Sequence, residues 1–181
     1  MKTYYEKAAQ AGRSMIEMLG VLAIVGILSA GGIAGYSMAM QSYKTNALIE
    51  KIQFTATQVR SLYKKGDYSE IGKDNAAGAN MLIESGKVTN MNNPFGGTLG
   101  LMHSNWPNAF DIHVRGDSIP AETCVELLQT DWGDSGVFEG VNLKGSRGGA
   151  LRYSNGKWPV SLSDAVTYCK NGNISIDLVF R

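Results

Sequence analysis

Gly12-Arg13-Ser14-Met15-Ile16-Glu17-Met18-Leu19-Gly20-Val21 opens the stretch on which the reading of this chain turns. From Met15 to Met40 the side chains are apolar or small, and Glu17 is the one charge before Lys44. An ionisable group at the centre of a membrane helix costs on the order of 2.5 to 3.5 kcal/mol, so its presence marks a functional position and calls for a partner.

The apolar run is long enough to cross a bilayer, which needs about 20 residues for a hydrocarbon core of roughly 30 Å. It is too long for the apolar region of a cleaved secretory signal, about 7 to 15 residues. Residues 1–12 are polar, with Lys2, Glu6 and Lys7, and end on Gly12. A cut after that glycine would remove the leader and leave the apolar helix in the product. The preceding lysines favour a cytoplasmic N-terminus, with the chain from Lys44 onward exported. An ordinary transmembrane anchor is the alternative reading of the same segment.

A polar leader ending in glycine, a glutamate at the fifth position after it and an unbroken apolar helix resemble the class III signal of type IV prepilins and the related pseudopilins. The resemblance implies that a membrane-embedded prepilin peptidase cuts between Gly12 and Arg13 and methylates the new amine. Arg13 departs from the pattern, since an apolar residue usually follows the cut. The resemblance also gives Glu17 a partner, the N-terminal amine of a neighbouring subunit in a growing filament. Unit charges 4 Å apart attract by about 4 kcal/mol at an effective dielectric of 20, enough to offset burial and set an axial register. The alternative is a pairing with Arg13 one turn earlier on the same helix. Gly20, Gly26, Gly31, Gly32 and Gly35 suit close packing of helices in apolar surroundings. Each also weakens the helix by roughly 1 kcal/mol relative to alanine, making Gly31-Gly32 the expected point of flexibility. Glycines are also simply tolerated in transmembrane helices.

Beyond the apolar stretch, Leu48, Ile52, Ala56, Val59 and Tyr63 recur at steps of three and four, one buried face of a continuing helix, while Phe54 points away. A helix from about Ser14 to Lys64 would be on the order of 75 Å long. Gly66 and Asp67 give turn chemistry. The remainder, 66–181, suits one globular α+β domain. The spacing predicts helices over 75–85, 121–128 and 161–169, the last with Ser161 and Asp164 at its start in a near capping box. Strands are expected over 109–114, 137–143, 151–153 and 174–180. Asn92 to Gly97 form a turn cluster, Gly100 prolongs the irregular stretch, Arg115 to Asp117 turn the chain, and Gly145 to Gly149 form a loop.

Two cysteines, Cys124 and Cys169, lie on predicted helices in the exported part and fit one disulfide in an oxidising compartment. Two free thiols or a metal site are the alternatives, and no CxxC spacing or nearby histidine pair supports a metal. His103 and His113 are the only histidines, and neither sits beside a nucleophile motif such as GxSxG. The 145–149 loop lacks phosphate-loop spacing. A net charge of +1 leaves no electrostatic footprint for nucleic acid, although Arg147, Arg152 and Lys157 could form a local patch for DNA or an acidic glycan.

Asn93-Pro94-Phe95-Gly96, the helix at Cys124-Val125-Glu126-Leu127-Leu128, and Tyr168-Cys169-Lys170 before a final strand resemble the type IVb pilins in particular. The resemblance implies a type IV pilin fold: a leader over 1–12, a long helix over 13–65 whose part 14–43 is transmembrane and then filament core, and a head over 66–181 with a disulfide-closed C-terminal region on an antiparallel sheet. It further implies a structural subunit without cofactor, metal or catalytic residues, forming a homopolymer for adhesion, aggregation or conjugative mating. Its expected partners are a prepilin peptidase, an assembly ATPase, an inner-membrane platform and a secretin. It would reside in the bacterial inner membrane with its head in the periplasm before joining an extracellular pilus. The alternatives are a minor pilin or secretion pseudopilin, and, in another class, a periplasmic binding module that is anchored but never polymerises.

Overall fold

In the computed structural model the backbone is described for residues 2–115, 119–133, 137–145, 150–154, 158–170 and 174–181. Side chains are described from Met15 onward, apart from 144–145, 150–154 and 174. The chain divides into two compact units, Met1–Tyr43 and Lys44–Arg181. The first consists of the N-terminal part of helix α1, which spans Lys2–Leu62. The helix thus begins within the polar leader, where Glu6, Lys7, Ala8 and Ala9 are good helix formers.

In the second unit, the Lys44–Leu62 part of α1 buries Thr45, Leu48, Ile52, Thr55, Ala56 and Val59 along one face. This is the predicted stripe with two threonines added and without Tyr63, which follows the last residue of α1 and is half-buried, and Phe54 lies outside it, exposed. A 3-10 turn over Ser69–Ile71 follows, then α2 over Asn75–Glu84. Asp74 caps α2 by accepting from the N–H groups of Ala76 and Ala77, at 2.9 and 2.7 Å. The helix ends at Ser85, and Gly86 takes the left-handed conformation there (φ 72°) without the Cβ strain another residue would meet.

The sheet comprises β1 (Gly100–His103), β2 (Phe110–Arg115), β3 (Phe138–Gly145), β4 (Ala150–Ser154) and β5 (Ile174–Phe180). Its five strands run in the order β1-β2-β5-β3-β4, all antiparallel. Alternation fixes the register: Phe110, Ile112 and Val114 of β2 and Ile176, Leu178 and Phe180 of β5 all point into the core. Slipping one residue would exchange them for Asp111, His113, Asp177 and Val179. Phe110, Phe180, Phe138, Trp132, Trp158 and Tyr68 form a continuous aromatic cluster at centroid separations of 4.8 to 6.2 Å.

β1 corrects the expectation that Gly100 prolongs an irregular stretch. Gly100 to His103 pair residue by residue with His113 to Phe110. The glycine is needed for packing, because a Cβ there would sit 2.7 Å from the Asn75 side chain of α2. Gly78 of α2 is tighter still, with a hypothetical Cβ 2.1 Å from the Leu101 carbonyl oxygen of β1.

Helices α3 (Ala121–Gln129) and α4 (Leu162–Cys169) form where predicted, each within a residue of the expected ends. The Ser161 side chain caps α4 through the Asp164 N–H, at 3.2 Å. The Cys124–Cys169 disulfide joins the two helices, with Cα atoms 5.7 Å apart and both residues buried. The expected turn at Gly116-Asp117 and the loop residues 146–149 lie outside the described residues, as do the side chains of Arg147, Arg152 and Lys157.

Candidate assembly surface

From Met15 to Met38 the first unit presents exposed apolar side chains around the whole helix. Met15, Ile16, Leu19, Leu22, Ile24, Ile27, Leu28, Ile33 and Met38 are all exposed. Such residues recur at every angular position, so no single stripe could dock on one neighbour and leave a wetted back. The helix is long and apolar enough to cross a membrane. The surface calls for lipid or many other helices as its surroundings, because exposed apolar area costs roughly 25 cal/mol per Å² in water.

Glu17 stands exposed on this helix, the lone carboxylate among the apolar side chains. Gly12 and Arg13 fall within the helical backbone of α1, and their side chains lie outside the described residues, as does any Glu17–Arg13 pairing. At Gly20, Gly26, Gly31, Gly32 and Gly35 a Cβ would meet nothing within 4 Å. These glycines leave open notches where another backbone could approach closely.

The second unit supplies a stiff body. The Thr45 and Thr123 hydroxyls lie 2.8 Å apart in a fully buried setting, tying α1 to α3. Lys51 donates to Asn90 at 2.6 Å, and Thr55 to the Met91 sulfur at 3.9 Å, fastening α1 to the segment after α2. Trp132 and Trp158 donate through their indole N–H groups to the carbonyls of Leu127 and Thr130, at 3.2 and 2.9 Å, locking the C-terminal end of α3. The disulfide then closes α4 onto α3.

Sequence reasoning missed one polar constellation. His113 Nδ1 lies 2.6 Å from Asp177 Oδ1 and 3.2 Å from Ser175 Oγ, with Asp177 1% exposed. These residue types match a hydrolytic triad, but the geometry does not. In a triad the carboxylate and the nucleophile engage opposite ring nitrogens, so that the imidazole relays between them. Here both engage Nδ1, so the trio is a cross-strand polar contact with no proton relay. Among the described residues no cluster of three or more His, Cys, Asp or Glu could hold a metal ion.

Comparison with known proteins places the chain. The family model described as Bundlin matches residues 37–178, from within α1 to Leu178 in β5. The chain is 27% identical over 180 residues to the major structural subunit of bundle-forming pilus of Escherichia coli O127:H6 (strain E2348/69 / EPEC), covering 94% of this chain and 91% of that one. It is 33% identical over 175 residues to the toxin coregulated pilin of Vibrio cholerae serotype O1 (strain ATCC 39315 / El Tor Inaba N16961), covering 90% of this chain and 74% of that one. No solved structure matches the chain significantly. The helix, the antiparallel sheet and the disulfide between α3 and α4 agree with these likenesses, and the chain belongs to the bundlin family of type IVb pilins.

Proposed function

We propose that this chain is the structural subunit of a type IVb pilus, polymerising through its apolar N-terminal helix into a thin surface filament. The observation that carries the reading is the all-round exposed apolar surface of α1 from Met15 to Met38, joined in one chain to a disulfide-closed head. Such a surface is stable first in lipid and then in a core of many like helices. The subunit waits in the bacterial inner membrane, N-terminus in the cytoplasm and head in the periplasm. A prepilin peptidase removes residues 1–12 between Gly12 and Arg13 and methylates the Arg13 amine. Glu17 then meets the Arg13 amine of a neighbouring copy, which lowers the cost of burying both charges in the filament core. Gly31 and Gly32 let the helices pack closely and bend. A cytoplasmic ATPase, an inner-membrane platform and a secretin drive the polymer outward. The head performs no chemical step and faces outward as the filament's surface.

Mass spectrometry and electron microscopy of filaments sheared from cells test the reading. The expected result is thin filaments in which this chain, starting at a methylated Arg13, is the abundant protein. A chain found only in trace amounts would be a minor component. A chain that stays in the membrane with residues 1–12 attached would be a non-polymerising anchor.

A further inference from the structure

Lys44 is the first charge after the apolar run, and it opens the second unit. Along a helix Glu17 and Lys44 are separated by about 40 Å at 1.5 Å rise per residue. A bilayer measures about 40 to 45 Å across with its headgroup layers included. With Glu17 at the cytoplasmic surface, Lys44 stands in the opposite headgroup layer, directly after the exposed Tyr43. Tyrosine and lysine gather at that depth, the ring among the headgroups and the amine in water. Whatever the head places beside Lys44 is therefore within reach of lipid.

The head places a hairpin there. Residues 91–99 fold back on themselves, with the Leu99 N–H donating to the Met91 carbonyl at 2.7 Å and the Asn93 N–H to the Gly97 carbonyl at 3.0 Å. The contacts of this hairpin descend α1. At its base the Met91 sulfur accepts from the Thr55 hydroxyl at 3.9 Å, and just before it Asn90 accepts from the Lys51 amine at 2.6 Å. At its tip the Phe95 ring lies under the Lys44 amine, 5.7 Å from nitrogen to ring centroid. Thr55 and Lys44 are about 16 Å apart on the helix, so the hairpin runs down α1 and turns at the level where the second unit begins.

The composition and backbone of the tip suit a lipid boundary. Residues 88–102 include no Asp, Glu, Lys or Arg. Pro94 has no N–H, the Phe95 N–H donates to the Asn93 side chain at 3.0 Å, and the Gly96 N–H donates to the Asn93 carbonyl at 2.9 Å. These donors are satisfied inside the turn, so contact with headgroups and upper acyl chains strands none of them. Phe95 packs one side against the core and is only half-buried. The start of α3 lies at the same level, since Thr123 touches Thr45, and it carries the exposed Glu122. The contact accordingly rests on the uncharged tip and its aromatic ring, and it needs no anionic lipid.

We propose that, before assembly, the hairpin tip at 94–97 rests on the periplasmic surface of the inner membrane, with Phe95 at the headgroup boundary beside Lys44. This builds on the membrane residence proposed above and adds the point at which the head touches the bilayer. A subunit leaving for a filament gives up that contact.

Paramagnetic broadening tests the contact on the unaltered chain. The full chain is placed in phosphatidylcholine nanodiscs with and without a nitroxide on some of the headgroups, and its amide NMR signals are compared. The signals of Tyr43, Phe95 and Gly96 are expected to fall at least about twofold, while that of Gly66, beyond the far end of α1, keeps its intensity. In Phe95→Ser, with the disulfide intact, the Gly96 signal recovers at least about twofold and Tyr43 stays broadened. A broadened Tyr43 beside Phe95 and Gly96 signals as sharp as Gly66, or a Gly96 signal as weak in Phe95→Ser as in the parent, overturns the contact and leaves the membrane span in place. A sharp Tyr43 signal removes the span itself, and the contact with it.

Discussion

Replacing Gly78 by alanine sets two effects of opposite sign against each other. Gly78 lies inside α2, where alanine is favoured over glycine by about 1 kcal/mol on helix propensity alone. The added Cβ, however, would sit 2.1 Å from the Leu101 carbonyl oxygen and 2.9 Å from both the Leu101 carbonyl carbon and Ile71 Cγ2. The nearest atom belongs to the β1 backbone, which cannot rotate aside as a flexible side chain would. Relief requires α2 to retreat from the sheet by about an ångström, a gap that forfeits a quarter to a half of each dispersion contact it opens. Leu82 and Ala79, both buried on α2, would lose part of their packing. Overpacking costs about 1 to 3 kcal/mol, and a clash with rigid backbone belongs in the upper part of that range, about 2 to 3 kcal/mol, so it outweighs the propensity gain and leaves a net loss of about 1 to 2 kcal/mol. In a chain of this size that lowers Tm by roughly 3 to 8 °C. Thermal unfolding of the detergent-solubilised chain, followed by tryptophan fluorescence, reads the effect, because Trp132 and Trp158 pack in the aromatic cluster. Gly32→Ala, with nothing near its Cβ, serves as the control and leaves that transition unchanged. A Gly78→Ala chain as stable as the parent, or more so, would refute the close packing of α2 on β1.

Three further outcomes are expected. Glu17→Ala is made, processed and stable in the membrane yet yields few or no filaments by microscopy; normal piliation would remove the assembly role of that carboxylate. Replacing Cys124 and Cys169 together by serine opens a crosslink 45 residues apart in sequence. The chain-entropy model assigns that link about 4 kcal/mol, so denaturant titration should show a loss of that order and filament yield should fall, while an unchanged midpoint would contradict the bracing role. Thr45→Val alone deprives the buried Thr123 hydroxyl of its partner and costs about 1 to 3 kcal/mol, whereas adding Thr123→Val recovers most of that loss. Strictly additive losses in the double-mutant cycle would show that the two hydroxyls do not depend on each other.

The parts of this fold that could be read from sequence are those with a local cause. Leu48, Ile52, Ala56 and Val59 declare a buried helix face by spacing alone, and Phe110, Ile112 and Val114 declare a strand by alternation. The Ser161 cap works over three residues. β1 escaped because four residues beginning with glycine carry no periodicity, and it is a strand only by virtue of its pairing with β2. The burial of Asp111 and Asp177 escaped for a related reason, since alternation assigns them to the face opposite the core and says nothing of what covers that face. Thr45 and Thr123 are 78 residues apart, so their contact has no local signature. The candidate site divides the same way. Gly12, Arg13 and Glu17 form a short motif legible at once, while His113, Ser175 and Asp177 come together only when β2 pairs with β5.

The account stands on Glu17 finding its partner in an amine that cleavage creates at Arg13. Intact-mass measurement of the pilin from sheared surface filaments tests that most directly. The account predicts a chain that begins at Arg13, with one methyl group on its terminal amine and the Cys124–Cys169 bond formed. Filaments built from a chain that still carries residues 1–12 would contradict it.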